Sequence, residues 1–230
     1  MGRTANSYGY LWGRSRVEAR DGDSRPYHFE VMARALGLTP PSGLVLDAGC
    51  GEGLDLIRQG SRTGVEIVGV ELSDGGCRKS FRRTRHQPTT HVVQADLCRL
   101  PFPNDLFDFV YSYGVLHHLD APPEGVRELE RVLRPEAPLA AYVYEDFSGR
   151  ARGWRWLLHA VTALRCLTTR LPHRLLYVLC QVASPLVYAM FTVPFLVSRR
   201  VPGLRAVTGG LPFRHARGPR DLVGELYDRF

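Results

Sequence analysis

Four positions carry acidic or hydroxyl groups where an α/β chain would use them: Asp47, Glu71, Asp96 and Ser112. Each sits at the end of a short apolar run, in LVLDAGCGEG, VGVEL, VVQADL and FDFVYSY. Asp47 leads into Gly49, Gly51 and Gly53, spaced by two residues. Glycines there let the backbone turn sharply after a strand and approach a ligand closely. The helix that follows aims free N–H groups and its positive end at the same place. This is a cradle for a nucleotide-type ligand. Glu71, 24 residues beyond Asp47, is spaced to accept from both hydroxyls of a ribose and would repel a 2′-phosphate. The aim of all four groups at one crevice is the expectation to be tested.

The elements that must position them alternate. A helix over 27–36 closes at Gly37 and the Pro40-Pro41 pair. Strands are predicted at 44–47, 66–70, 91–95, 107–112 and 139–144. Helices are predicted at 53–59, 74–83 and 122–133, the last opened by prolines and stopped by Pro135. Strands separated by single helices imply a parallel sheet with right-handed crossovers. The fold class is therefore α/β: a Rossmann-like, doubly wound, mainly parallel sheet of at least five strands. In such a sheet the carboxyl ends of the strands share one edge, where ligands bind.

The ordered runs DAGCGEG, VGVEL, QADLCRLPF, FDFVYSYGVLHHL and RELERVLRP resemble the motifs of class I S-adenosylmethionine-dependent methyltransferases, and most of all the methyltransferase 11 type. The resemblance covers roughly 44–145 and implies S-adenosylmethionine as cofactor. It implies that Gly49, Cys50, Gly51 and Gly53 line the methionine part, with Asp47 supporting the loop and the amino group. It assigns Glu71 and Leu72 to the ribose side, Asp96 and Leu97 to the adenine, and Ser112 and Tyr113 to the stretch beneath the sulfonium. Methyl transfer is an in-line displacement that asks the protein to align the reacting atoms and exclude water. A base is needed only for a protonated acceptor, and His118 is the candidate, weighed against a structural role in its loop. The TANSYGYLWGR segment is similar to an aromatic entry segment of some of these enzymes. There Tyr8, Tyr10 and Trp12 would close the pocket or simply pack. The run Arg134-Pro135-Glu136-Ala137 departs from the family's Arg-Pro-Gly-Gly, and GELYDRF resembles the lead into a further strand pair.

Composition bounds the rest. Five cysteines (50, 77, 98, 166 and 180) make no CxxC pair, which argues against a zinc site or disulfide framework. No metal is expected. The first thirty residues show no secretory signal, so a cytoplasmic protein is expected, peripheral to a membrane in one reading. The net charge of +7 is uneven: residues 1–146 hold 17 basic and 20 acidic side chains, residues 147–230 hold 13 and 3. The basic part suits an anionic partner. Three segments follow: a cofactor-binding core over 1–146, a helical apolar and basic insertion over 147–200, and a loop-rich tail over 201–230. Residues 175–198 carry no charge, with Arg174 before them and Arg199-Arg200 after. By length they would span a bilayer, but Pro185 and Pro194 interrupt them. A lid over the site, an anionic membrane surface met through 150–200, and a transmembrane helix all stay open. The expected acceptor is a small molecule or a lipid- or glycan-linked one. A nucleic-acid acceptor and a non-catalytic cofactor-binding module are the alternatives; the first lacks the Asn/Asp-Pro-Pro motif after the fourth strand and interleaved stacking aromatics in the tail.

Overall fold

The computed structural model describes residues 28–39, 41–143, 170–198 and 218–229, with isolated positions between 159 and 216. Tyr8, Tyr10 and Trp12, and residues 147–169 of the expected helical insertion, lie outside the described residues save for isolated positions. The chain divides into two compact units, Met1–Glu145 and Asp146–Phe230.

In the first unit, α1 (His28–Leu36) precedes β1 (Gly43–Ala48), α2 (Leu54–Gly60), β2 (Val65–Glu71), α3 (Asp74–Thr84) and β3 (Thr90–Gln94). Then come β4 (Phe109–Tyr113), a 3₁₀ turn (Leu116–His118), α4 (Pro122–Val132) and β5 (Leu139–Tyr142). The strands form one sheet in the order β3-β2-β1-β4-β5. Every pairing is parallel. The order reverses direction at β1, between β2 and β4, so the ligand crevice of an open α/β sheet falls there.

Period-two alternation builds a core on each face. Leu46, Ala48, Val68, Val70 and Val110 pack with Leu129 and Val132 of α4 on one side. Val45, Ile67, Phe109 and Tyr111 pack with Phe29, Met32 and Leu56 of α1 and α2 on the other. Both faces are covered at β1, β2 and β4. The edge strands β3 and β5 are half exposed. Every element predicted for this unit is present, with ends shifted by one or two residues. Ser73 caps α3, its hydroxyl accepting from the Gly76 N–H at 3.2 Å.

The second unit contains α5 (His173–Val187), a π-helical turn (Tyr188–Thr192), α6 (Val193–Ser198) and α7 (Pro219–Arg229). The π turn lies between Pro185 and Pro194, prolines whose missing N–H groups break the regular ladder. The chain's last described stretch is α7, which packs on α5. Leu222, Val223, Leu226 and Tyr227 of α7 are buried. The Tyr227 hydroxyl lies 2.7 Å from His173 Nδ1. The apolar spacing of LVxxLY is what stabilises a helix here.

Candidate functional site

The glycine loop leaves β1 at the switch point. Gly49, Gly51 and Gly53 hold φ of 94°, 53° and 76°, left-handed values that side chains resist. A Cβ on Gly49 would lie 2.7 Å from Val115 Cγ1, and one on Gly53 would meet Ser80 of α3. The loop is therefore shaped by what presses on it as well as by its own φ. Gly49 and Cys50 both donate their N–H to the Val70 carbonyl at 2.9 Å. Gly69, inside β2, has the Cys50 sulfur 2.8 Å from where its Cβ would be, so its missing side chain lets the loop settle onto the sheet.

Two acids then grip the loop. Glu71 ends β2; its Oε2 accepts from the Gly51 N–H at 3.2 Å, and its Oε1 accepts from the Ser73 N–H at 2.9 Å and hydroxyl at 2.6 Å. Glu52, within the loop and buried, meets Lys79 Nζ at 2.6 Å and Arg83 Nη1 at 3.3 Å. Arg83 also donates to the Glu52 carbonyl at 2.9 Å. Thus α3 clamps the loop from one side while Glu71 holds it from below.

Asp47 is buried at the end of β1, opposite Gly69 and Tyr111 in the neighbouring strands. Burial pushes its carboxyl well above the usual range; Asp55 and Glu71 add to this, and the Tyr111 hydroxyl opposes it. Among the described residues no cationic side chain pairs with Asp47. Burial, with Asp47 and Glu71 nearby, likewise pushes the Cys50 thiol up. An acid-rich, desolvated pocket beneath glycine N–H groups is one that a cationic ligand would relieve.

The remaining expected positions separate. Leu72 follows Glu71, and its carbonyl accepts from Gln94 Nε2 at 3.1 Å. Asp96 is exposed past β3, its Oδ1 accepting from the Cys98 N–H at 2.9 Å, while Leu97 is buried in the core. Ser112 is fully buried and donates to the Ala48 carbonyl at 2.8 Å, tying the end of β4 to the end of β1. Its hydroxyl is thus engaged by backbone. Tyr113 is held in a stack of three rings: His28 lies 4.5 Å away on one face and Tyr142 4.4 Å away on the other. His28 Nδ1 is 3.3 Å from Asp55 Oδ2, and Asp55 Oδ1 accepts from the Phe29 N–H at 3.3 Å. His118 sits in the 3₁₀ turn, its N–H on the Val115 carbonyl at 2.8 Å and its ring 4.1 Å from that of His117.

Sequence reasoning singled out neither Glu52, Lys79 and Arg83 nor His28, Asp55 and Tyr142. One signal was present: Lys79, the single lysine, stands four residues before Arg83 and so on the same face of α3. The stack carried none, because its rings are 85 and 29 residues apart along the chain. Among the described residues no group of three or more His, Cys, Asp or Glu could hold a metal ion.

Sheet order, switch-point glycine loop and strand-end acids define the class: a doubly wound domain that holds a nucleoside-type cofactor at the carboxyl edge of its sheet. Residues 46–141 match the family described as Methyltransferase domain, so this part of the chain is similar to the class I S-adenosylmethionine-dependent methyltransferases. S-adenosylmethionine is the cofactor of that class. The chain is similar to a malonyl-[acyl-carrier protein] O-methyltransferase of Enterobacter lignolyticus, 36% identical over 42% of this chain and 37% of that protein. It is similar to a 27-O-demethylrifamycin SV methyltransferase of Amycolatopsis mediterranei, at 34% over 42% and 36%. A sterol 24-C-methyltransferase of Aspergillus fumigatus is 30% identical over 59% and 38%. The matched parts thus cover about two fifths or less of these relatives. A solved SAM-dependent methyltransferase from Aquifex aeolicus is 22% identical, with a TM-score of 0.47, over 53% of this chain and 67% of that one.

The site's residues fit that cofactor. Its ammonium and sulfonium are cationic, and Asp47 is a buried carboxyl with no cationic partner among the described residues. Glu71, at the end of β2, is an acceptor for ribose hydroxyls on the same edge, and its Oε2 has a second lone pair beyond the bond from Gly51.

Proposed function

We propose that this chain transfers a methyl group from S-adenosylmethionine to a small-molecule or lipid-like acceptor. The observation that carries this reading is the clamped glycine loop over the acid-rich switch point, with Asp47 lacking a cationic partner among the described residues. Asp47 and the loop N–H groups would hold the amino-acid end, Glu71 the ribose, and Asp96 and Leu97 the adenine. When bound, the cofactor supplies a methyl group already activated for displacement by its sulfonium. The chain's own part is alignment and water exclusion, which well-oriented sites turn into large rate gains.

Tyr113, between His28 and Tyr142, gives the β4–β5 end of the edge a rigid aromatic wall. Such a wall orients an acceptor and stabilises nearby positive charge. His118 is the proton acceptor for a hydroxyl or carbon acid, and His28, oriented by Asp55, is a second imidazole on the same unit. Support for a small or greasy acceptor comes from the names of relatives that act on malonyl-[acyl-carrier protein], demethylrifamycin and a sterol. Another relative is named a tRNA U34 carboxymethyltransferase, so tRNA belongs in the screen.

Calorimetric titration with S-adenosylmethionine tests the cofactor reading, and radiolabelled methyl transfer to lipid extracts, polyketides, acyl carriers and tRNA tests the acceptor class. Failure to bind the cofactor would sink the proposal. Transfer to tRNA alone would replace the acceptor class and keep the reaction.

A further inference from the structure

In the second unit, α5, the π turn and α6 are inside out by the standard of a protein in water. Along α5, Leu175, Val178, Leu179, Val182 and Leu186 recur at helical spacing and are all exposed. Met190, Val193 and Val197 continue the exposed set through the π turn and α6. Val182, Leu186 and Val197 expose 73%, 64% and 71% of their surface. The residues that are buried on the same elements are mostly small and polar: Cys180, Ser184, Thr192 and Ser198, with Leu176. Ser184 and Ser198 settle their hydroxyls on carbonyls three residues back, at 3.1 and 3.3 Å, so they are satisfied without water. Water favours the reverse assignment, large apolar side chains in and small polar ones out. A hydrocarbon environment favours the one observed.

Charge names the occupant of that face. No charged residue occurs from 175 to 198, Arg174 and Arg199-Arg200 bracket the stretch, and residues 147–230 carry 13 basic side chains against 3 acidic. An apolar stripe with basic flanks fits an anionic phospholipid surface.

Length alone would let His173–Ser198 cross a bilayer. Its neighbour argues otherwise. α7 packs along α5 and carries Arg220, Asp221, Glu225, Asp228 and Arg229 in eleven residues. A helix so charged is costly in hydrocarbon. On α5 the buried Leu176, Cys180 and Ser184 are turned away from the stripe by the helical repeat. We propose that α5, the π turn and α6 lie in the interface of an anionic phospholipid membrane, apolar stripe into the lipid, with α7 on the side away from it.

Flotation of the full chain with vesicles tests this, using phosphatidylcholine alone and mixed with phosphatidylglycerol, over a salt series. The chain is expected to float with the anionic vesicles, less so as salt rises, and to be released by alkaline carbonate. Val182→Asp with Leu186→Asp, on exposed positions, should lower binding about tenfold or more. Arg199→Ser with Arg200→Ser should lower it about fivefold per arginine and flatten the salt dependence. A cofactor titration on each variant reports that the first unit is intact. Three outcomes overturn the proposal: no flotation, retention after carbonate (a spanning helix), or self-association abolished by the two aspartates with no flotation (a second copy on the stripe). Docking without cofactor binding would instead sink the methyltransferase reading and leave the interface standing.

Discussion

The two units solve opposite problems with the same residue types. In the first, Leu46, Ile67 and Val110 are fully buried and the polar groups gather at one edge of the sheet, where backbone donors and a clamping helix hold them. In the second, most of the large apolar side chains of α5, with Val193 and Val197 of α6, are exposed, and small polar residues are buried. The first pattern makes a stable scaffold that presents chemistry. The second makes a surface that needs a partner to be complete. Hydrophobicity itself does not separate them; the direction of the stripe does.

The sharpest test of that contrast is a pair of identical truncations. Leu129→Ala removes a fully buried side chain from between α4 and the sheet and should cost about 3 kcal/mol in denaturant unfolding. Leu186→Ala, on the exposed stripe, should change stability in solution by less than about 0.5 kcal/mol. Equal costs would mean that the stripe is covered, and the contrast would fail.

Next in size is the clamp on the glycine loop. Lys79→Met removes one of the cations that the buried Glu52 carboxylate meets, and should cost about 1–3 kcal/mol. Cofactor affinity should fall with it, because the loop loses its hold on α3. Removing Glu52 as well, in a Glu52→Gln, Lys79→Met pair, should recover part of the loss, since the buried carboxylate itself is then gone. Chemical denaturation beside calorimetry reads both effects.

Much of the first unit was legible from sequence because strand periodicity, turn residues and helix stops all agree there. Asp47 and Glu71 stood at strand ends by simple counting, and the structure places both on the carboxyl edge. Ser112 was legible as a strand-end hydroxyl, but not its bond to the Ala48 carbonyl, which depends on two strands being side by side. The His28–Tyr113–Tyr142 stack and the clamp from α3 to Glu52 were hidden for the same reason. Both are made by the closing of the sheet, not by any local pattern. In the second unit the uncharged run was obvious, but which of its faces is covered follows only from where α7 packs.

Asp47 gives the third test, and its two readouts should move in opposite directions. Its carboxyl is pushed up by burial, so the folded value lies above the unfolded one. That group's contribution to stability is full below the unfolded value and is lost as pH rises through the folded one. Asp47→Asn should therefore melt higher than the parent at the alkaline end of that window and alike at its acid end. Its affinity for S-adenosylmethionine should fall by about tenfold or more, the worth of one charge-assisted contact. In the parent, affinity should rise with pH through the same window, because a cationic ligand favours the ionised carboxyl. A variant that is both less stable and weaker in binding at every pH would make Asp47 a support of the scaffold only.

The smallest effect lies at the turn before β5, where Glu136 holds a φ of 61°. The turn is closed by the Ala137 N–H on the Arg134 carbonyl at 3.1 Å, so the backbone must take this left-handed course whatever residue stands there. A side chain in that region costs about 1 kcal/mol. Glycine has no such penalty, although it gives back part of the gain through the freedom of the unfolded chain. Glu136→Gly should stabilise the first unit by about 0.5 kcal/mol and leave cofactor affinity unchanged, since the turn enters β5 from the end opposite to Tyr142 and the ligand edge. The same pair of measurements, stability and titration, decides it. A change in affinity would show that the turn communicates with the edge through β5. A loss of stability would show that Glu136 makes a contact worth more than the conformational cost it bears.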